Sequence, residues 1–146
     1  MLRLLALRAR TRGRLRAARD VHVGPGVRVT IAPGASVVLG PGVVLGAGAR
    51  IDALGGAVRI GPGARLQERV IVVSHAGVEI GAHAVLGDWA VVSDVAPTYG
   101  RVETPVRAQP LLVRRVAIGA AAMIGPHAAV YTGVRAGAVV EPYAVV

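Results

Sequence analysis

One unit recurs through most of this chain: an aliphatic residue, a small residue that is usually glycine, two further residues, a small residue, and one more. It reads LGPGVV from Leu39, LGAGAR from Leu45, IGPGAR from Ile60, IGAHAV from Ile80, LGDWAV from Leu86, IGAAAM from Ile118 and IGPHAA from Ile124. A period of six is neither the 3.6 of a helix nor the 2 of a flat strand. It describes a short strand followed by a corner. Short fixed periods of this kind signal a solenoid.

The spacing of the units carries further information. From Leu39, two units of six are followed by a longer one, at 51–59, then at 72–79, then at 92–117. If three units make one coil, every insertion falls on the same side of the stack. The expected shape is a prism with three flat sides of parallel strands. Each leading aliphatic residue points inward onto its counterpart one coil away, and the small residue after it permits close packing. The fourth position of the unit holds Gly26, Gly34, Gly42, Gly48 and Gly63, but also His83, Trp89 and His127. Such a corner favours a left-handed backbone, which glycine adopts freely and histidine tolerates. His83 and His127 are therefore read as exposed corner residues without chemistry. Trp89 exposes a large ring there, suited to lining a cleft or meeting a neighbouring subunit.

Composition agrees with a narrow interior. There is no Phe, one Trp and three Tyr in 146 residues. No apolar run approaches the roughly 18 residues of a membrane-spanning helix. With no cysteine, disulfides and thiolate metal sites are excluded. His75 and His83 are separated by a corner, so no metal is expected. The glycine-rich strings never complete a phosphate-binding loop motif and are explained by the repeat.

Charge is concentrated at one end. All 17 basic residues are arginine, and seven of them lie in residues 1–19, which contain no acid. The remaining ten basic residues face eight acids, a balance of +2. Residues 1–20 read as a basic amphipathic helical segment interrupted near Gly13. The apolar stretch Leu4–Leu7 is too short for a signal peptide. Two roles stay open: a cap over the end of the repeat, or contact with an anionic surface such as a membrane. No nucleic acid partner is expected. The rest of the chain, 21–146, is read as one β-helix domain with an extruded loop at 93–117.

That loop holds Tyr99, Arg101 and Arg107, candidates to grip a substrate, and three prolines that stiffen it. Long loops in compact folds are usually functional. The coil register sets position 72 under 92, so Ser74 lies under Asp94, and His75 lies within one coil of that carboxylate. A histidine oriented by a carboxylate is an arrangement suited to a general base. His75 and Asp94 are the catalytic candidates, with Ser74 and Trp89 as substrate contacts.

The repeat, the loop after the third side, and the string VRRVAIGAAAMIGPHAAVYTGV resemble the hexapeptide-repeat acyltransferases, especially the galactoside/maltose and polysaccharide O-acetyltransferases. The resemblance spans about residues 21–146. It implies an all-β fold, a left-handed parallel β-helix. It implies a homotrimer with sites between subunits, acetyl-CoA as acyl donor, a sugar or glycan hydroxyl as acceptor, and a cytoplasmic location. Gly125, Pro126 and Ala144 match coils that touch the pantetheine arm in relatives. Relatives open the loop with a motif like S/T-D-H-x-H. Here Ser93 and Asp94 fit, while Val95 and Pro97 stand at the two histidine positions. Either His75 serves as base, or the chain is a trimeric scaffold without catalysis.

Overall fold

The computed structural model describes residues 2–97 and 111–146. One helix, α1 (Leu2–Arg10), precedes a parallel β-helix. Its first face stacks β1 (Leu15–Ala17), β4 (Ser36–Leu39), β7 (Ala57–Ile60), β10 (Gly77–Ile80) and β15 (Val116–Ile118). The second face stacks β2 (His22–Val23), β5 (Val44–Leu45), β8 (Arg65–Leu66), β11 (Val85–Leu86), β16 (Met123–Ile124) and β18 (Val139–Val140). The third stacks β3 (Arg28–Ile31), β6 (Arg50–Ala53), β9 (Ile71–Ser74), β12 (Val91–Ser93) and β17 (Ala129–Val130). Up to β12, neighbours on each face are three strands apart in sequence, as three units per coil require; the two strands interposed between β12 and β15 widen the next step to five.

The register follows the leading aliphatic residues. Leu45 pairs with Leu66, Leu66 with Leu86, and Leu86 with Ile124. Val72 pairs with Val92, as the unit spacing predicts. These side chains are buried in one continuous column, with Ala49, Ala64, Ala84, Ala90, Ala122 and Ala128 filling the tapered corners. Each buried Val, Ile or Leu contributes roughly 1.5–3 kcal/mol. Small residues follow the aliphatic ones because of the next rung. A methyl group on Gly61 would lie 2.8 Å from the backbone nitrogen of Ala82.

The fourth positions behave as corners. Gly63 has φ +69°, and His83, Trp89 and His127 adopt φ of 59°, 63° and 61°.

At the N-terminal end two features differ from the sequence reading. The coil begins earlier than residue 21, because β1 lies within the basic segment and pairs in parallel with β4. Its LRA sequence carries no glycine corner, so the repeat pattern does not reveal it. The helical part ends at Arg10, ahead of the left-handed residues Arg12 and Gly13. Leu4 and Leu7 of α1 join the core cluster and close the end of the prism.

The insertions all fall at one corner, where the third face turns into the first. There β6 and β7 are joined by Leu54–Gly56, and β9 and β10 by His75 and Ala76. After β12 the chain leaves the coil. Ser93 starts the departure: its hydroxyl accepts the N–H of Val95 at 3.1 Å. β13 (Val95–Pro97) and β14 (Leu111–Val113) then pair antiparallel, a stem the repeat gave no reason to expect. The N–H of Arg114 donates to the Asp94 carbonyl at 2.9 Å and closes the base of this stem. Val116 already belongs to the first face, so the excursion is shorter than 93–117 at both ends.

Candidate active site

The corner between the third and first faces gathers the chemistry. Inward positions there run Ile31, Ala53 and Ser74 in register, and Asp94 follows Ser93, which pairs with Val73. The column thus changes from aliphatic to polar as it climbs. The Asp94 side chain is fully buried. Its carboxylate accepts the His75 N–H on both oxygens, at 2.8 and 2.9 Å, the Ala76 N–H at 2.6 Å and the Gly77 N–H at 2.8 Å. Three consecutive amides that a tight corner would leave without strand partners are satisfied by one side chain.

His75 is thereby pinned through its backbone. Its imidazole is 43 % exposed, with Nδ1 3.8 Å from Asp94 Oδ1. That separation is beyond hydrogen-bond length, so ring and carboxylate are close without a fixed bond. Ser74 is fully buried, and its hydroxyl donates to the Ala57 carbonyl at 3.4 Å. It ties the corner to Ala57 on the rung below and is not presented to a ligand.

Beside this corner runs an open groove of about 600 Å³. Small residues, Gly55, Gly56, Ala76 and Gly77, line it and leave the space beside the corner open. Arg59, Glu79 and Arg115 line it. Arg59 and Glu79 are neighbours across β7 and β10 on the outer side of the first face. Sequence reasoning missed the groove and Arg59; Arg115 fell within the loop 93–117 but was not singled out. The signal available was the run of small residues in the insertions, Gly55, Gly56 and Ala76, which have little side chain to fill a corner.

Other expected site residues lie elsewhere. Trp89 occupies the edge between the second and third faces. There Arg69 sits 5.3 Å from its ring centre, and His127 stacks on it at 6.2 Å with planes 7° apart. Tyr143 stacks on His127 at 4.9 Å. Gly125, Pro126 and Ala144 belong to the same edge. Their backbone groups serve the rungs: the Gly125 N–H donates to Val140, the Ala144 N–H to Glu141, and Pro126 accepts from Tyr143. Tyr99, Arg101 and Arg107 lie outside the described residues. Among the described residues no cluster of His, Asp and Glu could hold a metal ion.

The chain matches no protein-family model and no curated protein sequence. Its fold is similar to that of AntD, an N-acyltransferase from Bacillus cereus, in a mutant bound to dTDP-4-amino-4,6-dideoxyglucose and coenzyme A. The TM-score is 0.65 at 13% identity, over 90% of this chain and 69% of that one. A second AntD structure, with dTDP and 3-hydroxybutyryl-CoA, overlays more loosely, with a TM-score of 0.46 at 12% identity over 90% and 73% of the two chains. At this identity the likeness is one of fold alone.

Proposed function

We propose that this protein is an acyl-CoA-dependent acyltransferase acting on a sugar, with His75 as general base. The observation that carries this reading is the corner itself. A partly exposed imidazole stands over a buried carboxylate, and the residue after it opens a groove lined by Arg59 and Arg115. The shared fold with AntD, which holds coenzyme A and a sugar nucleotide, supports the class.

In the proposed reaction the acceptor hydroxyl gives its proton to the His75 imidazole as its oxygen attacks the thioester carbon. The former carbonyl oxygen takes the negative charge in the tetrahedral intermediate. Collapse breaks the carbon–sulfur bond, and the imidazolium returns the proton to the departing sulfur. The products are an ester and free coenzyme A. An amine acceptor would lose its proton to the same base. The amides of His75, Ala76 and Gly77 are engaged by Asp94, so the oxyanion falls to a backbone N–H outside that trio. Arg59 and Arg115 are assigned to phosphate groups, of coenzyme A or of a sugar nucleotide. Acetyl as the acyl group and a hydroxyl as acceptor follow the sequence resemblance.

The assembly proposed is a homotrimer. Ile71, Val73 and Val91 form a partly covered aliphatic strip on the outer side of the third face, suited to burial against another copy. Sedimentation equilibrium at three times the chain mass is the expected result, and a monomer would remove any site built between copies.

One observation favours a second reading. Asp94 is occupied by backbone amides, and the histidine positions of the resembling family hold Val95 and Pro97. A scaffold without catalysis fits those facts. Release of free thiol from acetyl-CoA with a panel of sugar acceptors decides between the two. Acceptor-dependent release that His75→Ala abolishes supports the transferase. No release, together with no thermal stabilisation by coenzyme A, leaves the scaffold.

A further inference from the structure

Helix α1 has an unusual distribution of side chains for an end cap. Leu4 and Leu7 are buried against the first coil, and Thr11 continues that stripe. On the opposite side, at helical spacing, stand Leu2, Leu5, Ala6 and Ala9, all exposed. Leu2 is 82 % and Leu5 51 % exposed. A cap facing water would carry polar residues there. This one carries an apolar ridge.

Arginines flank the ridge. Arg8 lies on one side, and Arg3 and Arg10 on the other, by the same helical spacing. Two grooves border the helix. One, of about 380 Å³, is lined by Arg3 and Arg10 against Pro25 and Gly26. The other, of about 310 Å³, is lined by Arg10, Arg12 and Arg14 against Thr30. Arg8 and Arg14 each donate to a backbone carbonyl, of Ala17 and Ile31. None of the seven arginines of this segment is in an ion pair among the described residues.

We infer that the N-terminal end of the solenoid docks on an anionic phospholipid surface, with the Leu2–Leu5 ridge entering the interface and the flanking guanidinium groups on lipid phosphates. An apolar strip two leucines long is a marginal anchor by itself. Attraction between clustered arginines and anionic headgroups supplies the second signal that stable interfacial binding needs. A nucleic acid would use the arginines and leave the leucines without a role. The prism then stands on the membrane at its capped end, with the His75 corner several rungs away from the surface. Docking does not depend on catalysis.

The test is co-sedimentation of the full chain with vesicles of phosphatidylcholine alone or mixed with phosphatidylglycerol. The expected result is binding to the mixed vesicles only, weakened by high salt. Leu2→Asp with Leu5→Asp should abolish it while leaving the melting temperature unchanged, since both side chains face outward. Arg3→Ala with Arg10→Ala should weaken binding by about tenfold or more. Absence of binding to the anionic vesicles overturns the inference. So does equal binding to the neutral ones, or undiminished binding by the double aspartate variant. Association with duplex DNA that matches vesicle binding and ignores the leucine substitutions overturns it as well.

Discussion

Asp94 grips His75 by its backbone and not by its ring: both carboxylate oxygens take the His75 N–H, at 2.8 and 2.9 Å, while Nδ1 stands 3.8 Å away. The pair therefore separates two duties. Asp94 builds the corner, and the imidazole remains free to meet a ligand. Several expected outcomes follow from that division and from the packing around it.

Replacing His75 by Ala removes the proposed base without touching the backbone contacts that hold the corner. Acyl transfer should fall by about 10²-fold or more, with little change in melting temperature. Steady-state release of coenzyme A thiol checks this. Turnover at the unmodified rate would remove His75 from the mechanism.

Asp94→Ala should act on stability first. It leaves three corner N–H groups without an acceptor, and losing hydrogen bonds to a buried charged group costs about 3 kcal/mol or more. Chemical denaturation measures the loss. Asp94→Asn, which keeps one carbonyl acceptor, should recover part of it. If Asp94→Ala unfolded at the same denaturant concentration as the parent chain, the corner would owe nothing to the carboxylate.

Arg59→Ala combined with Arg115→Ala should erase most of the thermal stabilisation produced by coenzyme A. A ligand that binds only the folded state raises the melting temperature by mass action. The groove supplies two guanidinium groups for its phosphates. Differential scanning fluorimetry across a coenzyme A titration reads the effect. An unchanged shift in the double variant would move the binding site away from this groove.

Two glycines give a matched contrast. Gly61→Ala drives a methyl to 2.8 Å from the Ala82 nitrogen, a backbone atom that cannot step aside. The expected cost is about 2 kcal/mol. At Gly133 the nearest atom to such a methyl is the Ala117 carbonyl oxygen at 3.5 Å, an ordinary contact. Gly133→Ala should be neutral or slightly stabilising, since it restricts the unfolded chain. Equilibrium unfolding of the two variants tests whether rung spacing sets the small residue after each aliphatic one.

Much of the architecture could be read before any coordinates. The recurrence of Leu45, Leu66, Leu86 and Ile124 at the head of their units set the inward column, and the pairing of Val72 with Val92 followed from counting units. The left-handed corners at His83, Trp89 and His127 were legible because glycine fills the same position in other units. Strand β1 was not legible. Its pairing with β4 and the burial of Leu15 are contacts between coils that no local pattern records. The antiparallel stem of β13 and β14 escaped notice because neither strand carries the hexad.

The amino-acid sequence by itself determined the period, the number of faces, the register and the corner at which the chain may lengthen. Those follow from a coil whose length repeats and whose aliphatic residues must stack on one another. Only the tertiary structure decided what the lengthened corner does. The buried aim of Asp94, the turning of Ser74 toward Ala57, the groove beside Arg59 and Arg115, and the stacking of Arg69, Trp89, His127 and Tyr143 all depend on side-chain direction between rungs. Residues that meet there are separated by whole coils of chain. Their contacts come from closure of the prism, and no local pattern records them.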